Sequence, residues 1–184
     1  MATYQTTGWV SLKDGLPTDE SAGFDKKNKD GYHMGGCYMY AYDPSGEIVN
    51  EQPDHLDSRV IYIGTAGSST SRGIRSRTAD FWGTVRQGYT QKNPYANGIL
   101  FRGHFGEDLR EHLYVAYIPM GYGSHIKLAA HGLETELLYE YKCKYGSLPC
   151  CDGNIPNVLN AKELLKVMTD AELAEMAEIF SKKL

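Results

Sequence analysis

Two short β-favouring runs, Cys37–Tyr42 and Arg59–Ile63, flank a connector that contains Pro44, Gly46, Asn50 and Pro53, and this pattern constrains the fold more than any other feature of the chain. The first run alternates aromatic with small residues and the second is β-branched, as expected of strands whose side chains point to opposite faces in turn. The turn formers between them bring the chain back on itself, which predicts an antiparallel hairpin with an enlarged loop. A third alternating run, Leu113–Pro119, reads as a strand closed by proline. Gly73–Trp82 places Ile74, Thr78 and Phe81 on one side of a short helix, and Glu107–His112 reads as one helical turn. From Ile126 to Tyr145, Leu128, Leu133, Leu137, Leu138 and Tyr141 recur at helical spacing until Gly146 and Pro149 end the run. The order β-β-α-(α)-β-α predicts an α/β (α+β) fold in which a small central three-stranded antiparallel sheet is flanked by helices.

The flanks differ from this middle. Residues 1–35 are rich in Gly, Asp, Lys and Asn and read as an extended lead-in, 36–154 as the main domain, and 155–184 as a C-terminal helical extension. In that extension Asn160 can cap Ala161–Val167, and Thr169 with Glu172 forms a capping box ahead of Leu173, Met176, Ala177 and Phe180. The apolar stripe of the last helix offers a self-association surface for a homodimer, with docking onto the same chain as the competing use. A chain of 184 residues suits one domain with a sizeable core. No stretch approaches the roughly 20 apolar residues of a membrane span, so no membrane partner and a cytoplasmic location are expected. Cys37, Cys143, Cys150 and Cys151 lack the framework of a secreted mini-protein and read as reduced thiols. The vicinal pair lacks the C-x2-C spacing that lets two thiolates meet one zinc ion.

Charge is segregated. The chain carries a net charge of −4, yet Ser58–His104 holds Arg59, Arg72, Arg75, Arg77, Arg86, Lys92 and Arg102 against Asp80 alone. A generic polyanion coat is excluded by the overall sign, whereas one basic face for a nucleic acid is compatible with it. The plainer reading of such a run is a solvated surface.

Gly36-Cys37-Tyr38 on the first strand and Tyr62-Ile63-Gly64 on the second resemble the paired signature that names the GIY-YIG nucleases, with Cys37 where isoleucine is usual. Further segments extend the resemblance over Gly36–Asn154. Ile74, Arg77 and Phe81 follow the family's pattern of an apolar residue, an arginine and an aromatic or histidine on the first helix, here with phenylalanine. Glu134–Tyr145 resembles the helix that begins with the family's metal-binding glutamate, and Gly146–Asn154 resembles the closing Pro-to-Asn segment. Arg77 lies 15 residues after Tyr62, a longer gap than the family's, so Arg72 and Arg75 remain rivals, as Glu136 does for Glu134.

The resemblance implies a metal-dependent endonuclease acting on double-stranded DNA, restriction-like or phage-type, with Tyr38, Tyr62, Arg77 and Glu134 as the catalytic set. Tyr38 is the expected general base, with Tyr62 orienting water or phosphate. Glu134 would hold one Mg²⁺ (or Mn²⁺), and Gly64, Arg72, Arg75, His131 and Asn154 would line the substrate. These residue types suit phosphodiester hydrolysis. One carboxylate with water and phosphate oxygens matches the coordination habits of Mg²⁺, and a guanidinium offers a permanently charged planar fork to phosphate. A tyrosine titrates near ~10 in water and needs a cationic setting to take a proton. Taken singly, each has a plainer role: strand tyrosines pack, and helix arginines and glutamates solvate a surface. A noncatalytic DNA-binding module and a repair incision nuclease are the alternative functions.

Overall fold

A computed structural model describes residues 4–17, 34–67, 73–87, 103, 105 and 108–152. In chain order the elements are β1 (Val10–Ser11), β2 (Gly35–Tyr42), a 3-10 turn (Glu47–Asn50), β3 (Val60–Ala66), α1 (Ile74–Gln87), α2 (Leu109–His112), β4 (Leu113–Gly121) and α3 (Ser124–Tyr145). Among the described residues the strands form one antiparallel sheet in the order β1-β4-β2-β3. The expected α/β class stands, but the sheet has four strands rather than three. The addition is β1, where Val10 pairs with Val115 and Ser11 with Tyr114. Trp9 and Leu12 on either side of it are buried, and the Leu12 amide donates to the Leu113 carbonyl at 2.9 Å. Two residues are too few to show a period, so only the pairing partner reveals this strand.

Strict alternation sorts the sheet into two cores. Tyr38 and Tyr40 of β2 face the same way as Val115 and Tyr117 of β4, and Ile74, Phe81, Trp82 and Val85 of α1 cover them. Cys37, Met39 and Ala41, with Ala116 and Ile118, face the opposite way and are covered by Leu133, Leu137, Leu138 and Tyr141 of α3. Burial on both faces of the middle strands is the main driving term for this three-layer arrangement. β3 carries a bulge: Tyr40 pairs with Tyr62 and Ala41 with Val60, leaving Ile61 as an extra residue. Ile61 and Tyr62 therefore both belong to the α1 side, while Val60 and Ile63 belong to the α3 side.

Tight backbone contact aligns β2 with β4. A Cβ at Gly36 would stand 2.2 Å from the Ile118 carbonyl oxygen, so no other residue fits without parting the two strands. The 3-10 turn is fastened by Asp43, which accepts from the Ser45 amide at 3.0 Å and the Ile48 amide at 2.9 Å. The connector also docks onto α3. His55, buried, bonds Tyr4 Oη through Nδ1 and Glu140 Oε2 at 2.7 Å through Nε2, joining three distant segments. Burial is the main reason its imidazole titrates below the usual range, against the pull of Glu140 and Asp54.

The helices expected over Gly73–Trp82, Glu107–His112 and Ile126–Tyr145 correspond to α1, α2 and α3, with α1 running on to Gln87 and α3 starting at Ser124. Among the described residues no helix is long and apolar enough to cross a membrane. The C-terminal extension, Arg72 and Asn154 lie outside the described residues.

Candidate active site

Hairpin register carries the first part of the site. Tyr38 on β2 and Tyr62 on β3 project onto the α1 side with ring centroids 6.1 Å apart. Tyr40 lies 5.4 Å from Tyr38 and 6.0 Å from Tyr62, and Phe81 of α1 stacks on it at 4.2 Å. Gly64 pairs with Tyr38 across the hairpin. A Cβ at Gly64 would lie 2.6 Å from Tyr62 Cε1 and 2.9 Å from both Cζ and Oη of Tyr38. The missing side chain is what lets the Tyr38 hydroxyl come down onto β3, beside the Tyr62 ring. Expected as a substrate contact, Gly64 is here the floor under two tyrosines. The two differ in access: Tyr38 is 1% exposed, whereas Tyr62 is half-buried.

The acidic part comes from α3 and the neighbouring residue of β3. Glu134 is 7% exposed, and its Oε2 lies 3.2 Å from His131 Nδ1 and accepts from Thr65 Oγ1 at 3.4 Å. Thr65 follows Gly64 directly but pairs with Cys37, so its side chain belongs to the α3 side of the sheet. The tyrosines and Glu134 thus lie on opposite faces of one strand. β3 is an outer strand of the sheet, and Gly64 and Thr65 are the consecutive residues that bring the two groups near each other along it. Glu136, two residues on, lies about 200° around the helix from Glu134.

Arg77 sits one turn after Ile74 and one turn before Phe81, two fully buried residues, and is itself half-buried. Among the described residues no carboxylate pairs with it. Arg75 is tied elsewhere: its Nε donates to the Pro17 carbonyl at 3.0 Å. Phe81, where some GIY-YIG members place histidine, belongs to the aromatic core.

A second acid, which the sequence does not single out, is Asp152. The Ile63 amide donates to its Oδ2 at 3.0 Å, and the Cys151 amide donates to the Ile61 carbonyl at 2.9 Å, so the turn after Pro149 covers the outer edge of β3. Burial pushes the Asp152 carboxyl up to about 8, and the negative charge of Glu134 adds to the rise against the Ile63 hydrogen bond. Neither acid has a lysine or arginine partner among the described residues. In sequence Asp152 is one polar residue in a turn, and Ile63 lies 89 positions away, so no local period joins them.

This donor set suits a hard divalent cation. Two carboxyls without a lysine or arginine partner and a threonine hydroxyl offer oxygens of the kind Mg²⁺ or Mn²⁺ takes. Among the described residues no three His, Cys, Asp or Glu side chains form a cage, so such an ion would draw its other ligands from water and phosphate. No family model, curated protein or solved structure matches the chain.

Proposed function

We propose that the chain is an endonuclease that hydrolyses phosphodiester bonds of double-stranded DNA with one divalent metal ion held by Glu134, on a fold of the GIY-YIG kind. The observation that supports this reading is the juxtaposition about β3: Tyr38 and Tyr62 over Gly64 on one face, and Glu134 against Thr65, the next residue, on the other. A purely packing role explains the buried Tyr38 but not a buried Glu134 beside a second desolvated acid.

Each residue has a definite task in this reading. Arg77 donates to non-bridging phosphate oxygens and offsets the charge that grows in the transition state. Tyr62, the more accessible tyrosine, acts as its phenolate, its own proton having gone to solvent, and takes a proton from the attacking water, while Tyr38 across Gly64 holds the Tyr62 ring in place. This reverses the roles expected from the sequence, in which Tyr38 is the base. His131, half-buried next to Glu134, holds that carboxylate in place. When bound, the cation supplies positive charge to the scissile phosphate and the leaving oxygen.

The test is a plasmid nicking assay with purified full-length chain, with and without Mg²⁺. Cleavage that depends on Mg²⁺, stops with a chelator and falls roughly 10²-fold or more in Tyr62→Phe supports the reading. A Tyr62→Phe protein with full rate beside an inert but folded Tyr38→Phe protein would restore Tyr38 as the base. Binding without any cleavage, over a range of DNA substrates and divalent ions, would favour the noncatalytic module.

A further inference from the structure

The turn that covers the edge of β3 contains a feature the nuclease reading does not use. Cys150 and Cys151 place their Sγ atoms 3.7 Å apart, with Cys150 exposed and Cys151 buried in the α1-side core. Their neighbours hold the edge: the Cys151 amide binds the Ile61 carbonyl, and Asp152 receives the Ile63 amide. The two sulfurs are therefore chemically unequal and mechanically linked to the strand that carries Tyr62 and Gly64.

We propose that Cys150 and Cys151 form a reversible redox-modification site for small hydroperoxides, and that closing their vicinal disulfide releases the turn from β3. The exposed thiolate of Cys150 attacks the distal peroxide oxygen, so an S–O bond forms as the O–O bond breaks, and an alkoxide or hydroxide leaves and takes up a proton. The Cys151 sulfur then attacks the Cys150 sulfenic acid; the S–S bond forms and water departs with the Cys151 proton. Two thiols are oxidised by two electrons and one peroxide is reduced to an alcohol or water. The environment of the pair fits this division of labour. The Cys150 sulfur is the one a peroxide can reach from solvent, and the buried Cys151 sulfur stands 3.7 Å behind it to resolve the adduct.

Geometry supplies the consequence. Sulfurs 3.7 Å apart must close to about 2.05 Å, and adjacent Cα atoms about 3.8 Å apart fall below the usual disulfide range of about 4.4–6.8 Å. The bond is strained and readily reduced, as regulatory disulfides are. The turn must change shape to form it, and the contacts to Ile61 and Ile63 are made by Cys151 itself and by Asp152, the residue after it. Cys143, also exposed, is engaged instead by the Tyr139 hydroxyl one helical turn before it on α3.

The experiment uses full-length Cys143→Ser protein treated with equimolar hydrogen peroxide and then with a dithiol reductant. Peptide mapping should show a loss of about 2 Da confined to the Cys150–Cys151 peptide, reversed by the reductant. Hydrogen exchange at the Ile63 and Cys151 amides should quicken by about tenfold in the oxidised form and return on reduction. Cys151→Ser should stop at a Cys150 sulfenic acid that a dimedone probe captures, and Cys150→Ser should stay unmodified. Direct oxidation of Cys150 to sulfinic acid, disulfide formation between two chains, or a closed disulfide with unchanged amide exchange would each overturn the proposal. A reversible loss of DNA cleavage on oxidation is expected only if the nuclease reading is right. The mass and exchange measurements need no DNA, so failure of one idea is distinguishable from failure of the other.

Discussion

The two ends of β3 handle charge in opposite ways. Just before the strand, Arg59 binds Asp57 and Glu51 through Nη2 at 2.5 Å each and reaches Asp43 through Nη1 at 3.4 Å. Asp57 is held below the usual carboxylate range chiefly by its hydrogen bonds from the Arg59 guanidinium. The groove beside this clamp, about 750 Å³ and lined by Glu51, Asp54, Asp57, Arg59, Lys144 and Tyr145 among others, carries more acid than base. At the far end of the strand Glu134 and Asp152 stand with a hydroxyl, an imidazole and an amide. Charge satisfied within the chain fixes a loop, whereas buried carboxyls without a lysine or arginine partner are the groups a bound cation would stabilise most. The basic count along Ser58–His104 therefore overstates the surface open to DNA, because Arg59 is already neutralised and Arg75 is tethered to Pro17.

That contrast can be broken most sharply at Glu134. Glu134→Gln should lower Mg²⁺-dependent cleavage by about 10³-fold while its thermal melt stays close to that of the parent, since the volume is kept and only the charge is lost. Glu136→Gln should cleave at the parent rate. Exchanged phenotypes would mean that the other acid faces β3.

Next in size is Arg77→Lys, expected to slow single-turnover cleavage by about 10²-fold with DNA affinity changed by less than about threefold, because a lysine cannot reproduce the fork. Arg75→Ala should instead lower the melting temperature by loosening the Pro17 contact. If Arg75→Ala abolished cleavage while Arg77→Lys were silent, the phosphate-binding role would move two residues towards the start of α1.

At the satisfied end the expected effect is on stability. Arg59→Met leaves Asp43, buried, facing Asp57 and Glu51 without their cation, and should cost roughly 2–3 kcal/mol in urea unfolding. The salt dependence of DNA binding should not change. A shallower salt slope in this variant would show that Arg59 reaches phosphate after all.

The last contrast concerns pH. Asp152 has its carboxyl raised in the folded protein, so the folded state holds a proton that the unfolded chain releases between about pH 4 and 8. Its contribution to stability is thus worn away as pH rises through that window, and the penalty is complete above about 8. Asp152→Asn should be more stable than the parent at pH 9, with the two converging below pH 4. Identical pH profiles would place Asp152 in a wetter setting than the edge of β3.

Element identities are legible in the sequence because they are local. The alternation around Tyr38 and Tyr40, the helical spacing from Ile126 to Tyr141 and the stop at Gly146 each depend on residues two to four positions apart, where the backbone's own geometry sets the period. The hairpin motif also brings Tyr38, Tyr62 and Gly64 into view together, since they sit on two consecutive strands that the turn formers between them fold back on each other. What joins distant segments carries no such signal: β1 on β4, the Ile61 bulge that sorts Val60 from Tyr62, His55 between Tyr4 and Glu140, and Asp152 on Ile63. Residue type alone does not distinguish Arg59 from Arg77. One is surrounded by acids and the other is not, and that difference arises only when burial of the two sheet faces brings the loop, the helix and the closing turn against the same strand.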